Sequence, residues 1–184
     1  MFSRNPLFLP FRWRAHLVGN LTGDVLEVGV GTGANFPYYG RAAQLYAVEP
    51  DPGRAALARQ SAQQHGVIAQ VEVAPAEALP YVNARFDHVV CSLVLCSVAD
   101  QRVALAEIGR VLKPTGTIHL VEHVRPQTRW LAWLFTKLTP WWQKVAHNCH
   151  LDRQTIQVLE AEGWRVHLHQ RRWMVVRLSA TRVG

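Results

Sequence analysis

An apolar run that ends in three closely spaced glycines constrains this chain more than any other feature. The run begins at Val25, and the glycines are Gly29, Gly31 and Gly33. Such a pattern is typical of a buried strand that turns sharply beneath a ligand, because glycine has no Cβ to hold the ligand away from the backbone. With Ala34 as the third small residue, the spacing also fits the G-x-G-x-x-G/A fingerprint of dinucleotide-binding proteins. The glycines therefore predict a nucleotide-type pocket without deciding its ligand.

Two acids flank the glycines and narrow the choice of ligand. Glu27 lies two residues before the first glycine, at the carboxyl end of the strand, where a carboxylate favours a cationic or amine-bearing ligand over a pyrophosphate. Glu49 ends the next apolar run, where an acid can accept hydrogen bonds from both ribose hydroxyls. This order of acid, glycines and acid resembles the S-adenosylmethionine site of the class I methyltransferases. The alternative is that Glu27 caps a turn and Glu49 is solvated.

Length and composition favour a single domain spanning residues 1–184. A chain of 184 residues, 49% of them hydrophobic, can bury one sizeable core and is short for two. The three cysteines form no C-x-x-C pair and no secretory leader is evident, so free thiols and a cytoplasmic setting are expected. No run of about 18 apolar residues occurs, so no membrane span is expected.

The formal net charge of +7 favours an anionic partner or surface. Arginines are spread along the chain, and no zinc-finger, helix-turn-helix or RNP-type pattern is present, which makes nucleic acid the weaker candidate. An anionic membrane surface remains open, with the protein bound at its periphery. Residues 1–20 mix apolar and aromatic side chains with arginines, and they are expected to cover the pocket or touch a membrane.

The order of predicted elements indicates a doubly wound α/β fold. After the first strand and a short helix at 35–39, strands are expected at 44–48, 67–74, 86–92, 117–124, 164–169 and 173–178, and helices at 52–64, 100–113 and 153–162. Asp51 provides an N-cap for the helix at 52–64. The alternation predicts a Rossmann-like sheet of seven strands, mostly parallel with the last strand antiparallel. Ligands of such sheets bind outside the carboxyl ends of the strands.

Several later segments carry a more particular pattern. They are the apolar strand and loop at 86–98, Gly-Arg-Val-Leu-Lys-Pro at 109–114, Val-Glu-His-Val at 121–124, Leu-Thr-Pro-Trp-Trp-Gln-Lys at 138–144 and Cys-His-Leu-Asp-Arg at 149–153. The first three resemble the small bacterial class I methyltransferases of the ubiquinone/menaquinone and phosphatidylethanolamine type. The last two resemble the animal methyltransferase-like proteins that methylate thiols.

The resemblance implies S-adenosylmethionine as the cofactor. The implied binding residues are Glu27, Gly29, Gly31, Gly33, Glu49, Ala76, Glu77 and Leu93. Many relatives hold the adenine amino group with an acid after the third strand, where this chain has Ala76 and Glu77, so the Ala76 backbone and the Glu77 side chain must serve there. The chain is also shorter than such relatives at its amino end and between the sixth and seventh strands, where 170–172 alone are expected to connect them. A second subunit could therefore complete the pocket in a homo-oligomer.

Histidines are the candidate catalytic residues. His123 ends the fifth strand, and His147 and His150 lie on the segment that returns over the sheet, so each could line the acceptor pocket and take a proton. A structural histidine is the alternative for each. The run at 147–150 offers three metal ligands, but adjacent residues rarely converge on one ion, so no metal is expected. Cys91 and Cys96 are expected to be small core residues.

An aromatic insertion at about 126–150, broken by Pro140, predicts a lid over the pocket, with its tryptophans and lysines available to lipid headgroups. The sequence thus predicts methyl transfer from S-adenosylmethionine to a small or amphiphilic, apolar acceptor. A thiol is the first choice of acceptor, because the lid can desolvate an apolar molecule. A quinol or aminolipid acceptor is the runner-up, and a non-catalytic S-adenosylmethionine-binding module is the third alternative.

Overall fold

The computed structural model describes residues 11–41, 43–145 and 148–183. Its strands are β1 Gly23–Val28, β2 Ala43–Val48, β3 Ala69–Glu72, β4 Phe86–Ser92, β5 Leu112–His123, β6 Trp164–Arg172 and β7 Val175–Arg182. Its α-helices are α1 Phe11–Val18, α2 Pro52–Gln64, α3 Gln101–Val111, α4 Arg129–Val145 and α5 Thr155–Ala161, and a short 3-10 helix spans Phe36–Tyr38. Residues 1–10 of the expected N-terminal cover and the candidate catalytic residue His147 lie outside the described residues.

The seven strands form one sheet in the order β3-β2-β1-β4-β5-β7-β6. Strands β1 to β5 pair with one another in parallel, and β7 runs antiparallel to both β5 and β6. The predicted seven-stranded α/β sheet with an antiparallel last strand is therefore confirmed. The strand order reverses between β1 and β4, and this reversal opens a crevice at their carboxyl ends.

Both faces of the sheet are buried, because successive side chains of each strand point to opposite sides. On β1, Val25 belongs to the apolar cluster beneath α1 and α2, and Leu26 belongs to the cluster beneath α3 and α5. On β4, Val90 and Val89 divide between the same two clusters. A central strand that is buried on both faces explains the continuous apolar runs of the sequence.

Helix α2 has the predicted bounds because its N-terminus is capped as expected. The Asp51 carboxylate accepts a hydrogen bond from the backbone N–H of Arg54 at 2.8 Å, and Pro52 occupies the first turn. A cap of this kind stabilises a helix by about 1 kcal/mol. The buried face of α2 is built from alanines, which let the helix approach the sheet closely.

The predicted boundary between the helix at 100–113 and the fifth strand at 117–124 was wrong. We predicted helix to Lys113, but α3 ends at Val111 and β5 starts at Leu112. Leu112 pairs with Phe86 of β4, and the Lys113 ammonium lies 2.7 Å from the Asp87 carboxylate. Pro114 cannot continue a helix, so pairing with β4 decides the conformation here. The third strand is also shorter than predicted, at Ala69–Glu72.

The predicted connection at 170–172 was wrong as well, because these residues belong to β6. They pair with residues 175–177 of β7 in a hairpin, and Trp173, with φ +55°, forms its turn. The sequence between the sixth and seventh strands is short because β6 and β7 are long and are joined directly by a tight turn. Beyond residue 178, β7 continues to Arg182 and pairs with the start of β6.

The aromatic insertion forms the long helix α4, and the expected break at Pro140 is not observed. Pro140 lies inside the helix, although an interior proline costs about 3 kcal/mol. The inward residues Ala132 and Thr139 are buried, and the Thr139 hydroxyl donates to the Phe135 carbonyl at 2.8 Å. Tertiary packing of this face therefore outweighs the proline. Within the described ranges, the helices are all too short or too polar to cross a bilayer.

Candidate functional site

A cavity of about 610 Å³ opens at the carboxyl ends of β1, β2, β4 and β5. The turn after β1 forms its floor, and the loop after β4 forms a wall together with Cys149 and Trp142 of α4. This is the position that a doubly wound sheet offers to a ligand. Its lining includes seven of the predicted cofactor residues: Glu27, Gly29, Gly31, Glu49, Ala76, Glu77 and Leu93.

The turn after β1 requires glycine at two positions of the cavity floor. Gly29 has φ +65°, and a Cβ there would lie 2.6 Å from Cγ2 of Val94. Gly31 has φ +60°, and its N–H donates to Oε2 of Glu49 at 2.9 Å. Gly33, which is absent from the lining, would bring a Cβ within 2.6 Å of the Phe36 ring. The third glycine of the motif therefore serves packing rather than ligand access.

Glu27 is a buried carboxylate at the floor of the cavity. It is 1% exposed and accepts hydrogen bonds from Nδ2 of Asn35 and the hydroxyl of Tyr39, each at 2.8 Å. Burial raises the pKa of Glu27 to about 7, and the two hydrogen bonds only partly offset this rise. Nη1 of Arg14 donates in turn to Oδ1 of Asn35 at 2.5 Å. A cationic ligand group in the cavity would favour the ionised form of Glu27.

Glu49 directly follows β2 and also lines the cavity. It is 3% exposed, its Oε2 accepts the Gly31 N–H, and its Oε1 lies 3.8 Å from Nε of Arg54. A carboxylate has about four acceptor positions, so Glu49 retains capacity for ligand hydroxyls. Both buried acids line the cavity, and their roles toward a cofactor stay predictions.

The Glu77 carboxylate, which the sequence predicts to contact the adenine amino group, already has a backbone partner. Oε1 of Glu77 accepts the backbone N–H of Ala99 at 2.8 Å, so this carboxylate anchors the segment before α3. Leu93 has φ +62°, and its N–H donates to the Val121 carbonyl at 2.7 Å. The roles of Ala76, Glu77 and Leu93 toward a cofactor stay predictions.

Glu122 was given no role by the sequence, yet it organises the loop after β4. It is fully buried and accepts the backbone N–H groups of Val94, Leu95 and Cys96 at 2.8, 2.9 and 3.2 Å. Burial raises its pKa to about 7 against these three hydrogen bonds. An acid in the middle of the apolar run at 120–124 was the signal that sequence reasoning passed over.

The cavity also brings together three groups that are far apart in sequence. Sγ of Cys149 lies 3.6 Å from Sγ of Cys96 and 3.4 Å from Nδ1 of His123. Cys96 is a buried core residue, as predicted, and its sulfur also belongs to this cluster at the cavity. Cys91 is a buried core residue, as predicted.

The pKa values of the two cysteines in this cluster shift in opposite directions, and the pKa of His123 shifts as well. The hydrogen bond with Cys96, followed by the contacts with His123, lowers the pKa of Cys149, whereas that same bond and burial raise the pKa of Cys96. These opposite shifts make Cys149 the more acidic of the two thiols. Burial lowers the pKa of His123, but the hydrogen bond and the electrostatic contact with Cys149 raise it overall.

The predicted histidines separate in the structure. His123 lines the cavity, whereas His150 is absent from its lining and has Nδ1 4.0 Å from Oδ1 of Asp152. His147 lies outside the described residues. Catalytic roles for these three histidines stay predictions, and the geometry favours His123.

Residues 26–120 match the family described as "Methyltransferase domain". The chain is similar to thiol S-methyltransferase TMT1B of Rattus norvegicus, with 36% identity over 140 residues that cover 74% of this chain and 57% of that protein. It is also similar to the ubiquinone/menaquinone biosynthesis C-methyltransferase UbiE of Geobacter sulfurreducens, with 30% identity over 128 residues, which cover 64% of this chain and 50% of that protein. The chain thus spans little more than half the length of the curated relatives that it matches.

The fold is shared with solved structures at lower identity. The YcgJ protein of Bacillus subtilis superimposes with a TM-score of 0.72, covering 92% of this chain and 95% of that one at 19% identity. At that identity, the likeness extends to the architecture of the sheet.

Proposed function

Because the chain belongs to the methyltransferase domain family, we propose that it transfers a methyl group from S-adenosylmethionine to the sulfur of a small, largely apolar thiol. The observation that carries this proposal is a cavity lined by two buried acids, Glu27 and Glu49, and by a cysteine-histidine cluster. The similarity to a protein named as a thiol S-methyltransferase favours sulfur as the acceptor atom.

The two floor acids support S-adenosylmethionine as the cofactor. Glu27 can bind the ammonium group of the methionine part. Its carboxylate is buried beside Asn35 and Tyr39, and the positive ammonium group would neutralise its negative charge. Glu49 can accept hydrogen bonds from the ribose hydroxyls. When bound, the cofactor supplies an electrophilic methyl group on a sulfonium ion.

The wall formed by the loop after β4 and the segment after α4 supports an apolar thiol acceptor. Trp142 and Val98 line it together with Cys149 and His123, so an acceptor is held against aromatic and apolar surface away from water. Fixing the acceptor in a near-attack position supplies most of the acceleration in such a transfer. A thiol with a pKa near about 8.5 needs modest help to ionise, and His123 is placed to receive its proton. The new sulfur-carbon bond forms as the sulfonium-carbon bond breaks, giving a thioether and S-adenosylhomocysteine.

A competitive acceptor panel tests this proposal. The chain is incubated with methyl-labelled cofactor and equal concentrations of an alkyl thiol, its alcohol analogue, a reduced quinone and phosphatidylethanolamine vesicles. Labelled thioether and S-adenosylhomocysteine are expected from the thiol alone. Transfer to the quinol or the aminolipid without thioether would overturn the choice of acceptor, and cofactor binding without S-adenosylhomocysteine would leave a non-catalytic binding module.

A pair of histidine variants tests the position of the acceptor. His123→Ala is expected to lose roughly 100-fold in thiol methylation, because it removes a group from the cavity wall. His150→Ala, on the segment after α4 but outside the cavity lining, is expected to lose much less. Equal losses in the two variants would contradict this placement.

We also propose that α4 holds the protein against an anionic membrane surface, from which an amphiphilic acceptor could enter. Trp130, Trp133 and Trp141 are each more than half exposed, and Lys137 is exposed among them. At about 100° per residue, these four side chains fall within roughly 80° of helix arc, which is a narrow stripe of tryptophan and lysine. The adjacent Trp142 lines the cavity, so the stripe borders the acceptor wall.

Vesicle sedimentation tests the membrane proposal. Binding to phosphatidylserine vesicles is expected to exceed binding to phosphatidylcholine vesicles, and Trp133→Ser with Trp141→Ser should reduce it. Leu57→Ser, which removes an exposed apolar residue on α2, provides the matched control and should retain binding. Binding that is indifferent to lipid charge and to the tryptophans would refute it.

A further inference from the structure

We propose that Cys96, His123 and Cys149 form a three-ligand site for a soft divalent cation of the zinc class, with its fourth coordination position facing the cavity. Of the three proposed ligands, only Cys149 belongs to the run of adjacent residues at 147–150. The three groups proposed here come instead from the loop after β4, the end of β5 and the segment after α4.

The ligand atoms already have nearly the spacing that a tetrahedral zinc ion imposes. With bond lengths of about 2.3 Å to sulfur and about 2.0 Å to nitrogen, tetrahedral angles place two sulfurs ~3.8 Å apart and a sulfur and a nitrogen ~3.5 Å apart. The observed distances are 3.6 Å between the two Sγ atoms and 3.4 Å between Sγ of Cys149 and Nδ1 of His123. All three ligand atoms lie within 4.8 Å of one another. A cation can therefore be accommodated with small side-chain rotations.

The backbone around the ligands is held in place by hydrogen bonds that the fold supplies. The N–H of Cys96 donates to the buried Glu122 carboxylate, and its carbonyl accepts the N–H of His150 at 2.7 Å. Nδ2 of Asn148 donates to the Ser97 carbonyl at 2.9 Å. These bonds fasten the segment that carries Cys149 onto the loop that carries Cys96. Preorganised ligands of this kind lower the cost of closing a metal site.

The surroundings also fit a bound cation with two thiolates. Cys96 and Cys149 are buried, so two thiolates without a partner would be costly there, and a divalent cation neutralises them. Nε1 of Trp142 is buried without a hydrogen-bond partner among the described residues, and a metal-bound thiolate at Cys149 would accept a hydrogen bond from it. Soft thiolate and imidazole ligands select zinc-class ions over magnesium or calcium.

Three protein ligands leave one position open, which is the arrangement of catalytic rather than structural zinc sites. All three residues line the cavity, so the open position faces the space assigned to the acceptor. A thiol that binds there loses its proton to solvent, because metal coordination ionises it. Its sulfur then takes the methyl group and leaves as a thioether, a weaker ligand. This role for the cation rests on the proposed thiol methylation, and in that state the cation rather than His123 ionises the acceptor.

Cobalt substitution in the full chain tests the site without relying on turnover. The protein is stripped with a chelator, kept reduced with a phosphine and titrated with Co²⁺. One cobalt per chain is expected, with an intense sulfur-to-cobalt charge-transfer band and the visible bands of a tetrahedral ion, and Zn²⁺ should displace it. Cys96→Ser and Cys149→Ser should each weaken cobalt binding at least roughly 100-fold, whereas Cys91→Ala, a buried cysteine outside the cluster, should retain it.

Adding a small thiol to the cobalt form should shift the visible bands, and the alcohol analogue should leave them unchanged. A folded wild-type chain without the sulfur band, or a band that survives Cys96→Ser with Cys149→Ser, would overturn the site. A Cys96–Cys149 disulfide that forms under the reductant in place of metal binding, seen as a loss of two hydrogens in mass, would also overturn it. Intact cobalt bands without thiol methylation would remove the proposed function and leave the metal site standing.

Discussion

Glu27 should make cofactor binding depend on pH between about pH 5 and pH 7. Burial raises the pKa of Glu27 to about 7, so the carboxyl group is half neutral at that pH and neutral below it. The ligand's amine stays positively charged throughout this range, so the binding partner that titrates is the protein carboxyl. The ionised fraction of Glu27 falls from one half at pH 7 to about one hundredth at pH 5. The dissociation constant of S-adenosylhomocysteine should therefore rise roughly 50-fold over that interval.

Two variants separate Glu27 from other titrating groups. Glu27→Gln keeps the packing, since its amide can accept from Asn35 and donate to the Tyr39 hydroxyl, and it should bind weakly with no slope between pH 5 and pH 7. Tyr39→Phe removes a hydrogen bond that lowers the pKa of Glu27, so the inflection should move to higher pH. Glu160→Gln, an exposed carboxylate on α5, should keep the wild-type slope.

Isothermal calorimetry in buffers of two ionisation enthalpies measures both the affinity and the protons released on binding. Binding above about pH 8 should release almost no protons, binding at pH 7 about half a proton, and binding near pH 6 close to one per ligand. A wild-type dissociation constant that stays flat from pH 7 to pH 5 would refute the role of Glu27. So would a Glu27→Gln variant that keeps the wild-type slope, since Glu122 also has its pKa raised to about 7 but is absent from the cavity lining.

Three further predictions concern the floor, the loop and the fold. Glu49→Ala should weaken S-adenosylhomocysteine binding by on the order of 1.5 to 3 kcal/mol, or about 10- to 150-fold, in calorimetry, and an unchanged dissociation constant would remove Glu49 from the site. Glu122→Ala leaves three buried N–H groups without an acceptor, so urea denaturation should show a loss of about 3 kcal/mol or more, and a loss below about 1 kcal/mol would contradict the role of Glu122 in holding the loop. Asp51→Ala removes the α2 cap and should lower the unfolding free energy by about 1 kcal/mol. An unchanged unfolding free energy would mean that water satisfies the Arg54 N–H as well as the Asp51 carboxylate does.

The sequence determined the elements whose local signals and tertiary environment agree. Helix α2 begins and ends where its cap and its stop were predicted, because Asp51 satisfies the first turn in any context. The strand β4 was predicted residue for residue, since a continuous apolar run suits burial on both faces of a parallel sheet. The glycine turn and its two acids fell within one short stretch of chain, so the floor of the cavity could be placed from spacing alone.

The tertiary structure decided wherever a partner distant in sequence overrides local preference. Pairing with β4 extends β5 back to Leu112, and pairing with β7 turns the expected connector at 170–172 into strand. Pro140 remains inside α4 because the helix packs through the buried Ala132 and Thr139. Each of these outcomes depends on contacts that residue propensities do not contain.

The wall of the cavity shows the same division most clearly. Cys96, His123 and Cys149 are separated by up to 53 residues, and each is ordinary in its local sequence. They meet because parallel strands β4 and β5 end at the same edge and the segment after α4 is fastened back onto that edge by hydrogen bonds at Cys96 and Ser97. The sequence by itself therefore determined the α/β sheet and the floor of the cavity, whose residues lie close together along the chain. Only the tertiary structure assembled the cysteine-histidine cluster, because it depends on distances between elements that no local sequence pattern records.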